Sequence, residues 1–313
     1  MRIKLLRLHF LFLMVFNHLS AEPVSPIDSL QQILQKPNLS DSLRAVVLNE
    51  LAFAYHNRSP LKADSLAKEA LEFAHLLITT QLTADSYFNM GIAQWALGNY
   101  AEALQRQFQA LELYELSDNN RKIADTYNQI GITYADQKDN DKALEYLFKA
   151  NELYKALDNK KDEALNDHHI GIVFYQKRDP NRALVYYREA LNIRQEIEDQ
   201  EGIAESLTNM GSIFYDQMQF EKALHYHQRA LEIRKKMHNN VGIATNYRHL
   251  GYLYREKGDF DSAMYALTEG QKIADSLQNR KERLSLYKET LALLEELDSI
   301  KDAYLIQKKY IVS

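Results

Sequence analysis

Apolar residues along the chain follow helical spacing, and small residues follow a second, much longer period. Leu104, Phe108 and Leu111 illustrate the first pattern, which predicts the buried face of an amphipathic helix. The longer period spans forty positions and is kept by a glycine column and an alanine column: Gly91, Gly131, Gly171, Gly211 and Gly251, then Ala63, Ala103, Ala143, Ala183, Ala223, Ala263 and Ala303. Because a glycine and an alanine twelve positions further on let two antiparallel helices approach closely, each period predicts one helical hairpin.

Helix breakers fall where such a hairpin must turn. Pro60, Gly98, Pro180 and Gly258 mark the turn inside a hairpin, and polar stretches such as 238–240 mark the link between hairpins. Two aromatic columns share the same long period: Tyr134, Phe174, Phe214 and Tyr254, and Tyr146, Tyr186 and Tyr226. We call the forty-residue register of the glycine and alanine columns the lattice, and its glycines the lattice glycines. Because this register already explains why the aromatic residues repeat, we expect their side chains to pack within the repeats.

The residues in these columns resemble the tetratricopeptide repeat. One repeat shows the family pattern of bulky, aliphatic, glycine, aromatic and two alanine positions: Tyr127, Ile130, Gly131, Tyr134, Ala143 and Ala150. The period of forty exceeds the common length of about 34 residues, and it is similar to the repeats of kinesin light chains, spindle-orienting adaptor proteins and bacterial sensory proteins. The resemblance implies an all-α fold, a right-handed α-solenoid of about seven helical hairpins whose first and last members are degenerate.

Three segments are predicted along the chain. Residues 1–21 carry basic residues, an apolar run and then small residues, which is the order of a secretory signal peptide; an uncleaved signal anchor is the alternative. Residues 22–43 are expected to hold a short capping helix that begins after Ser25, and residues 44–313 are expected to hold the repeat array. Cleavage near Ala21 would give an exported protein, either periplasmic or secreted.

Composition and charge exclude several function classes. The chain has no cysteine, which excludes disulfides, thiol catalysis and cysteine-ligated metals. Its net charge is −5, with lysine and arginine dispersed, so we expect no nucleic-acid partner. His168 and His169 diverge by about 100° on a helix, and no helix carries the paired histidines of a zinc protease. We therefore expect a protein that is not an enzyme and that has no cofactor and no metal site.

The resemblance also implies where a ligand would bind. In such stacks the first helices of the hairpins line a concave groove, and in the long-repeat relatives amides two positions before the lattice glycine hold the backbone of an extended ligand. This implies a peptide-binding role for Asn89, Gln129 and Asn209, since an amide can donate and accept at once. The alternative, that these amides cap or link neighbouring helices, stays open. The same face adds further candidate peptide-binding residues: Trp95, His169, Tyr175, Tyr215, Arg248 and His249.

These residues favour a non-enzymatic, exported scaffold for protein–protein interaction that binds a peptide or protein segment in its concave groove. The alternative is a sensory input domain of a bacterial signal-transduction protein whose output module is absent from this chain. No membrane span is expected after signal cleavage. The last helix, from Ala303, is apolar at positions such as Ile306 and Ile311, so we expect self-association or a partner at the C-terminal edge.

Overall fold

The computed structural model describes residues 25–277 and 280–299, which contain α-helices and no strand. We number the helices in chain order: α1 (Pro26–Leu34), α2 (Asp41–Tyr55), α3 (Pro60–Leu76), α4 (Thr80–Ala96), α5 (Tyr100–Glu115), α6 (Asn120–Asp136), α7 (Asn140–Ala156), α8 (Lys160–Gln176), α9 (Pro180–Glu196), α10 (Gln200–Asp216), α11 (Phe220–Lys236), α12 (Asn240–Glu256), α13 (Phe260–Ser276) and α14 (Arg280–Glu296). The predicted all-α class is confirmed. The predicted signal peptide and the predicted C-terminal edge lie outside the described residues.

The helices fall into two compact units, one ending at Ser117 and the other beginning at Asp118. In the first unit α1 precedes two hairpins, α2 with α3 and α4 with α5. In the second unit four hairpins follow one another, α6 with α7, α8 with α9, α10 with α11 and α12 with α13, and α14 packs on α12 and α13. We call the first helix of each hairpin helix A and the second helix B. Each unit is thus a helical-repeat solenoid. None of the described helices is long and apolar enough to span a membrane.

Two serine caps organise the segment before the first hairpin. The Ser25 hydroxyl accepts a hydrogen bond from the Asp28 backbone N–H at 3.2 Å, and α1 follows and ends at Leu34. The Ser40 hydroxyl accepts from the Leu43 backbone N–H at 3.3 Å and caps α2 in the same way. Both caps satisfy backbone donors that the first turn of a helix leaves unpaired.

Glycine sets the distance between the two helices of a hairpin. A Cβ atom added to Gly131 would lie 2.6 Å from Leu147 Cγ and 3.1 Å from the carbonyl oxygen of Ala143. The other lattice glycines would meet the facing side chain of helix B at 2.6 to 2.8 Å: Gln107 at Gly91, Tyr187 at Gly171, His227 at Gly211 and Leu267 at Gly251. The described members of the alanine column are fully buried. The close approach predicted from the glycine and alanine columns is therefore present in both units.

Aromatic pairs inside the hairpins account for most of the two aromatic columns. Tyr134 of α6 stacks on Tyr146 of α7 with ring centroids 5.7 Å apart. The next two hairpins repeat this contact: Phe174 on Tyr186 at 5.4 Å and Phe214 on Tyr226 at 5.1 Å. These rings join helix A to helix B, as their shared period predicts.

At each link from α3–α4 to α12–α13, one residue adopts the left-handed conformation. After α4, the backbone N–H groups of Gly98 and Asn99 donate to the carbonyls of Trp95 and Gln94, each at 2.9 Å, which is a Schellman motif. Gly98 supplies the left-handed conformation that the motif needs, with φ of 79°. Non-glycine residues adopt this conformation at most of the links: Ile78, Asp118, Lys138, Asp158, Arg178, Glu198, Met218 and His238.

The left-handed residue between α3 and α4 predicts a stabilising substitution. Ile78 has φ of 52° although it is β-branched, and it is 91% exposed, so its strain is not offset by burial. Ile78→Gly should raise the free energy of unfolding by about 1 kcal/mol, because relief of strain exceeds the extra backbone entropy of an unfolded glycine. Urea denaturation measures the change. Ile78→Ala is the control, because an L-residue still occupies the left-handed position. Equal stability of the two variants would contradict the interpretation that residue 78 is strained.

Candidate peptide-binding groove

The A helices of the second unit form a groove of two neighbouring pockets. The larger pocket, about 610 Å³, lies between α8, α10 and α12, and Ile172 and Asn209 are among its lining residues. The smaller pocket, about 270 Å³, lies between α10, α12 and α14, and Tyr215 and Arg248 are among its lining residues. His249 lines both pockets. We call the two pockets together the A-helix groove.

A single helical stripe forms the α10 side of the larger pocket. Glu201, Glu205 and Asn209 follow one another at intervals of four positions, so their side chains lie on one face of the helix. Gly211 lies on another face of α10, in close contact with His227 of α11. The contact between helices A and B therefore fixes which face of helix A stays open to a ligand.

Two of the three predicted amides have unused hydrogen-bonding capacity. Asn209 is half-buried in the larger pocket, and its side chain forms no hydrogen bond within the described part of the chain. Gln129 of α6 is also half-buried, and its Nε2 atom is buried with no partner among the described residues. The Asn209 amide can therefore donate to a ligand backbone, whereas the Gln129 donor is buried and Gln129 lines neither pocket. A peptide-binding role for Gln129 and Asn209 stays a prediction.

The third amide, Asn89 in the first unit, is already paired within the chain. Its Nδ2 atom donates to the backbone carbonyl and to the Oδ1 atom of Asn49, each at 3.0 Å. Asn49 Nδ2 in turn donates to Ser86 Oγ at 3.1 Å. Because these contacts join α2 to α4, Asn89 links the A helices of two neighbouring hairpins, which is the alternative that the sequence left open.

The aromatic candidates lie in three different places. Trp95 is half-buried on α4 in the first unit. Tyr175 of α8 is exposed outside the lining of both pockets, and its hydroxyl donates to the Asp216 carboxylate of α10. Partial burial and this partner raise the pKa of Tyr175 to about 12. Tyr215 lines the smaller pocket, where its hydroxyl donates to the Tyr252 hydroxyl at 2.6 Å.

Arg248 and His249 of α12 line the smaller pocket, and each is held by a contact with a neighbouring helix. Arg248 Nε donates to Glu282 Oε1 of α14 at 3.0 Å. The His249 ring stacks on the His227 ring of α11, with centroids 4.8 Å apart and planes 8° apart. These contacts order the floor of the smaller pocket before any ligand arrives.

Histidines in and around the groove are uncharged at neutral pH. Burial lowers the pKa of His168 and of His169 to about 3, that of His227 to about 4, and that of His249 well below its usual value. His169 Nδ1 also lies 3.1 Å from Asn128 Nδ2 of α6. Among the described residues, no three histidine or acidic side chains are grouped closely enough to hold a metal ion.

Two buried arginines that were not among the sequence-based candidates support the groove from helix B. Arg194 of α9 donates to Ser206 Oγ at 2.7 Å and forms an ion pair with Glu205 at 2.9 Å. Arg234 of α11 occupies the equivalent position and donates to Asn246 Oδ1 of α12 at 2.6 Å. Each guanidinium group therefore joins helix B of one hairpin to helix A of the next.

The sequence does contain a signal for these arginines. Arg194 and Arg234 occupy the same position in successive repeats, and each is followed eight positions later by a glycine outside the main glycine column, Gly202 or Gly242. A Cβ atom added to Gly202 would lie 2.6 Å from Arg194 Nε, and one added to Gly242 would lie 2.5 Å from Arg234 Nε. An arginine and a glycine eight positions later, repeated forty residues further on, thus indicate a guanidinium group that packs between two hairpins.

Sequence comparison identifies the family. The tetratricopeptide repeat model matches residues 122–196 and 202–276, both within the second unit. The second unit therefore belongs to the tetratricopeptide-repeat family, as its glycine and alanine columns predict. No protein of curated function matches the sequence.

Several solved structures share the fold. A Rap protein complexed with Competence and Sporulation Factor is 18% identical, with 91% of this chain and 78% of that chain covered and a TM-score of 0.66. The Rap conjugation gene regulator of plasmid pLS20, in complex with the Phr* peptide, is 19% identical, with 90% and 82% covered and a TM-score of 0.57. A signal-transduction ATPase of the STAND class from Pyrococcus horikoshii, which has a tetratricopeptide repeat sensor, is 19% identical, with 88% and 41% covered and a TM-score of 0.62.

The buried imidazole of His227 predicts a loss of stability in mild acid. Its pKa is about 4 in the fold and near 6.5 once unfolded, so protons favour the unfolded chain below about pH 6.5. The stabilisation is complete above that pH and is lost as the pH falls toward 4. At about pH 5 the loss due to His227 should be about 2 kcal/mol.

Two variants separate this contribution from other titrating groups. His227→Leu copies Leu147 and Leu267, which fill the same lattice position, and it should reduce the fall in stability between about pH 7.5 and about pH 5 by that amount. His225→Gln changes an exposed histidine on the same helix and should behave as the wild type. Denaturation at each pH measures both. An unchanged pH dependence in His227→Leu would show that the imidazole is not buried as a neutral group.

Proposed function

We propose that this tetratricopeptide-repeat protein is an interaction scaffold that binds an extended peptide or protein segment along the A-helix groove. The observation that carries the proposal is the Asn209 amide, which lies in the larger pocket without a hydrogen-bond partner in the described chain. An amide of this kind can donate to and accept from the backbone of an extended ligand of any sequence.

The composition of the groove also supports an extended ligand. The two pockets follow one another along α10 and α12, so that a segment could occupy both at once. Their walls combine three aliphatic side chains, Ile172, Val241 and Leu253, with the rings of Tyr215 and Tyr252 and with polar side chains. Apolar walls favour burial of ligand side chains, whereas a few fixed polar groups set the position of the ligand.

The charged side chains of the larger pocket are already paired within the chain. Glu205 forms an ion pair with Arg194 at 2.9 Å, and Glu201 forms one with Arg234 at 3.3 Å. Because these side chains are held before binding, a ligand loses less free energy in ordering them. We therefore infer that the groove is preorganised.

The similar structures support the same class of ligand. The Rap conjugation gene regulator is in complex with the Phr* peptide, and the STAND protein uses tetratricopeptide repeats as a sensor. By this likeness we infer that a peptide is the favoured ligand, and that a sensory input role is the second candidate. Both functions use the same groove and differ in whether binding is passed to an output module.

We infer that the groove binds its ligand without catalysis. His227, which lines the smaller pocket, fills the lattice position occupied by Leu147 and Leu267 in other hairpins. Close packing against Gly211 therefore accounts for this buried histidine without a role in a reaction.

We further propose that residues 1–21 direct export, on the basis of their basic, apolar and small-residue order. N-terminal sequencing of the protein from fractionated cells tests this. A periplasmic or secreted chain that begins close to Glu22 supports export, and a cytoplasmic chain that keeps its first residues would overturn it.

A selected peptide provides the test of the groove. Selection from a library of random linear peptides, followed by calorimetry, yields a ligand and its affinity. Asn209→Ala should weaken binding of that peptide by about tenfold, the loss of one or two hydrogen bonds, and should leave the unfolding midpoint unchanged because no partner within the chain is lost.

The matched control for this experiment is Asn192→Ala, which removes an exposed amide from helix B of the α8–α9 hairpin. It should bind the peptide as the wild type does. Equal binding by Asn209→Ala and Asn192→Ala would place the ligand elsewhere on the chain and contradict the proposal.

A further inference from the structure

A polar pair lies buried between two hairpins of the second unit, at positions that are apolar one repeat further along the chain. Asn151 of α7 is 6% exposed and Asp167 of α8 is 0% exposed. Asn151 Nδ2 donates to Asp167 Oδ1 at 2.7 Å. The equivalent positions one repeat further on are Leu191 and Leu207, which pack in one apolar cluster. The lattice itself therefore does not require polar side chains here.

Each side chain of this pair keeps one acceptor without a partner. Asp167 Oδ2 and Asn151 Oδ1 are both buried, and neither has a hydrogen-bond partner among the described residues. An ionised carboxylate has no donor to offer the amide oxygen. A single proton on the carboxyl group supplies the missing donor, and it converts the unmatched pair into an acid and an amide joined by two hydrogen bonds.

We propose that Asp167 is protonated in the folded protein and donates from Oδ2 to Asn151 Oδ1, which makes the α7–α8 interface dependent on pH. The proton comes from solvent water: an O–H bond forms on the carboxyl group when the pair closes, and the proton returns to water when the pair opens. No other covalent bond changes.

The charged groups around Asp167 favour this protonated form. Burial and, after it, the carboxylates of Glu189 on α9 and Glu163 on α8 raise the pKa of Asp167, which is about 7. Lys155 on α7 and the hydrogen bond from Asn151 lower this pKa, and the Tyr186 hydroxyl on α9 interacts electrostatically with the carboxyl group. Because the folded value lies above the ordinary value near 3.9, the stabilisation is present at lower pH and is lost as the pH rises through about 7.

The position of the pair connects it with the A-helix groove. Asp167 directly precedes His168, and α8 also carries Ile172; both residues line the larger pocket. Loss of the proton leaves an uncompensated charge between α7 and α8, which such a buried site tolerates poorly. We therefore expect that alkaline pH loosens α8 and with it one wall of the larger pocket.

The first test compares the pH dependence of stability in the wild type and in Asp167→Asn. The variant can form both hydrogen bonds without a proton, since an amide already carries its own donors. Between about pH 6 and about pH 8, the folding equilibrium constant of the wild type should fall about tenfold relative to that of Asp167→Asn. Glu152→Gln, which removes an exposed carboxylate from α7, is the matched control and should follow the wild type.

A second readout detects the proton itself. The infrared C=O band of a protonated carboxylic acid should be present at about pH 6, absent at about pH 8, and absent from Asp167→Asn at both. Over the same range, amide hydrogen exchange of the wild type should show loss of protection in α7 and α8 relative to α10 and α11. The wall of the groove would then open before the rest of the unit.

A second variant keeps the proposal testable if Asp167→Asn folds poorly. The double variant Asn151→Leu with Asp167→Leu copies the Leu191 and Leu207 interface and can take the place of Asp167→Asn. Parallel pH profiles of wild type and variant, or no protonated carboxyl band at about pH 6, would overturn the proposal. Neither result would affect the peptide-binding test, which is made at a single pH.

Discussion

The contact between each lattice glycine and the facing side chain of helix B is the constraint on which the other features of both units depend. A Cβ atom at Gly131 would lie 2.6 Å from Leu147, so any larger residue would push the two helices apart. Because helix A must turn this glycine toward helix B, its other faces are fixed as well. In the second unit one of those faces carries Glu201, Glu205 and Asn209 and forms one side of the A-helix groove.

The same lattice tolerates very different chemistry where its hairpins meet. Inside a hairpin, the side chain opposite the lattice glycine is glutamine, leucine, tyrosine or histidine. Between hairpins of the second unit, the contacts include an acid–amide pair, a buried arginine and a leucine cluster. The ion pair of buried Arg194 with half-exposed Glu205 does not by itself add much stability, since the cost of removing the guanidinium charge from water offsets the attraction. Its contribution is to fix side chains at the groove, and this positional order is what a peptide-binding surface needs.

The sequence predicts the hairpins well and the groove only in part. Gly171 and Ala183 on one repeating lattice have a single physical explanation, the close contact of two helices, and the structure contains that contact. Asn89 and Asn209 share a column, yet their surroundings differ because of the residue one repeat earlier. Asn89 meets the acceptors of Asn49, whereas the residue one repeat before Asn209 is His169. A column in the sequence fixes where a side chain lies, but its partners come from other repeats.

The most direct measurement of the central claim is a crystal structure of the chain with a peptide selected for binding. We predict that the peptide lies in extended form along α8, α10 and α12, with its backbone hydrogen-bonded to the Asn209 amide and a side chain beside Tyr215. A peptide bound on the B helices, or one bound in the groove while the Asn209 amide stays without a partner, would contradict the account.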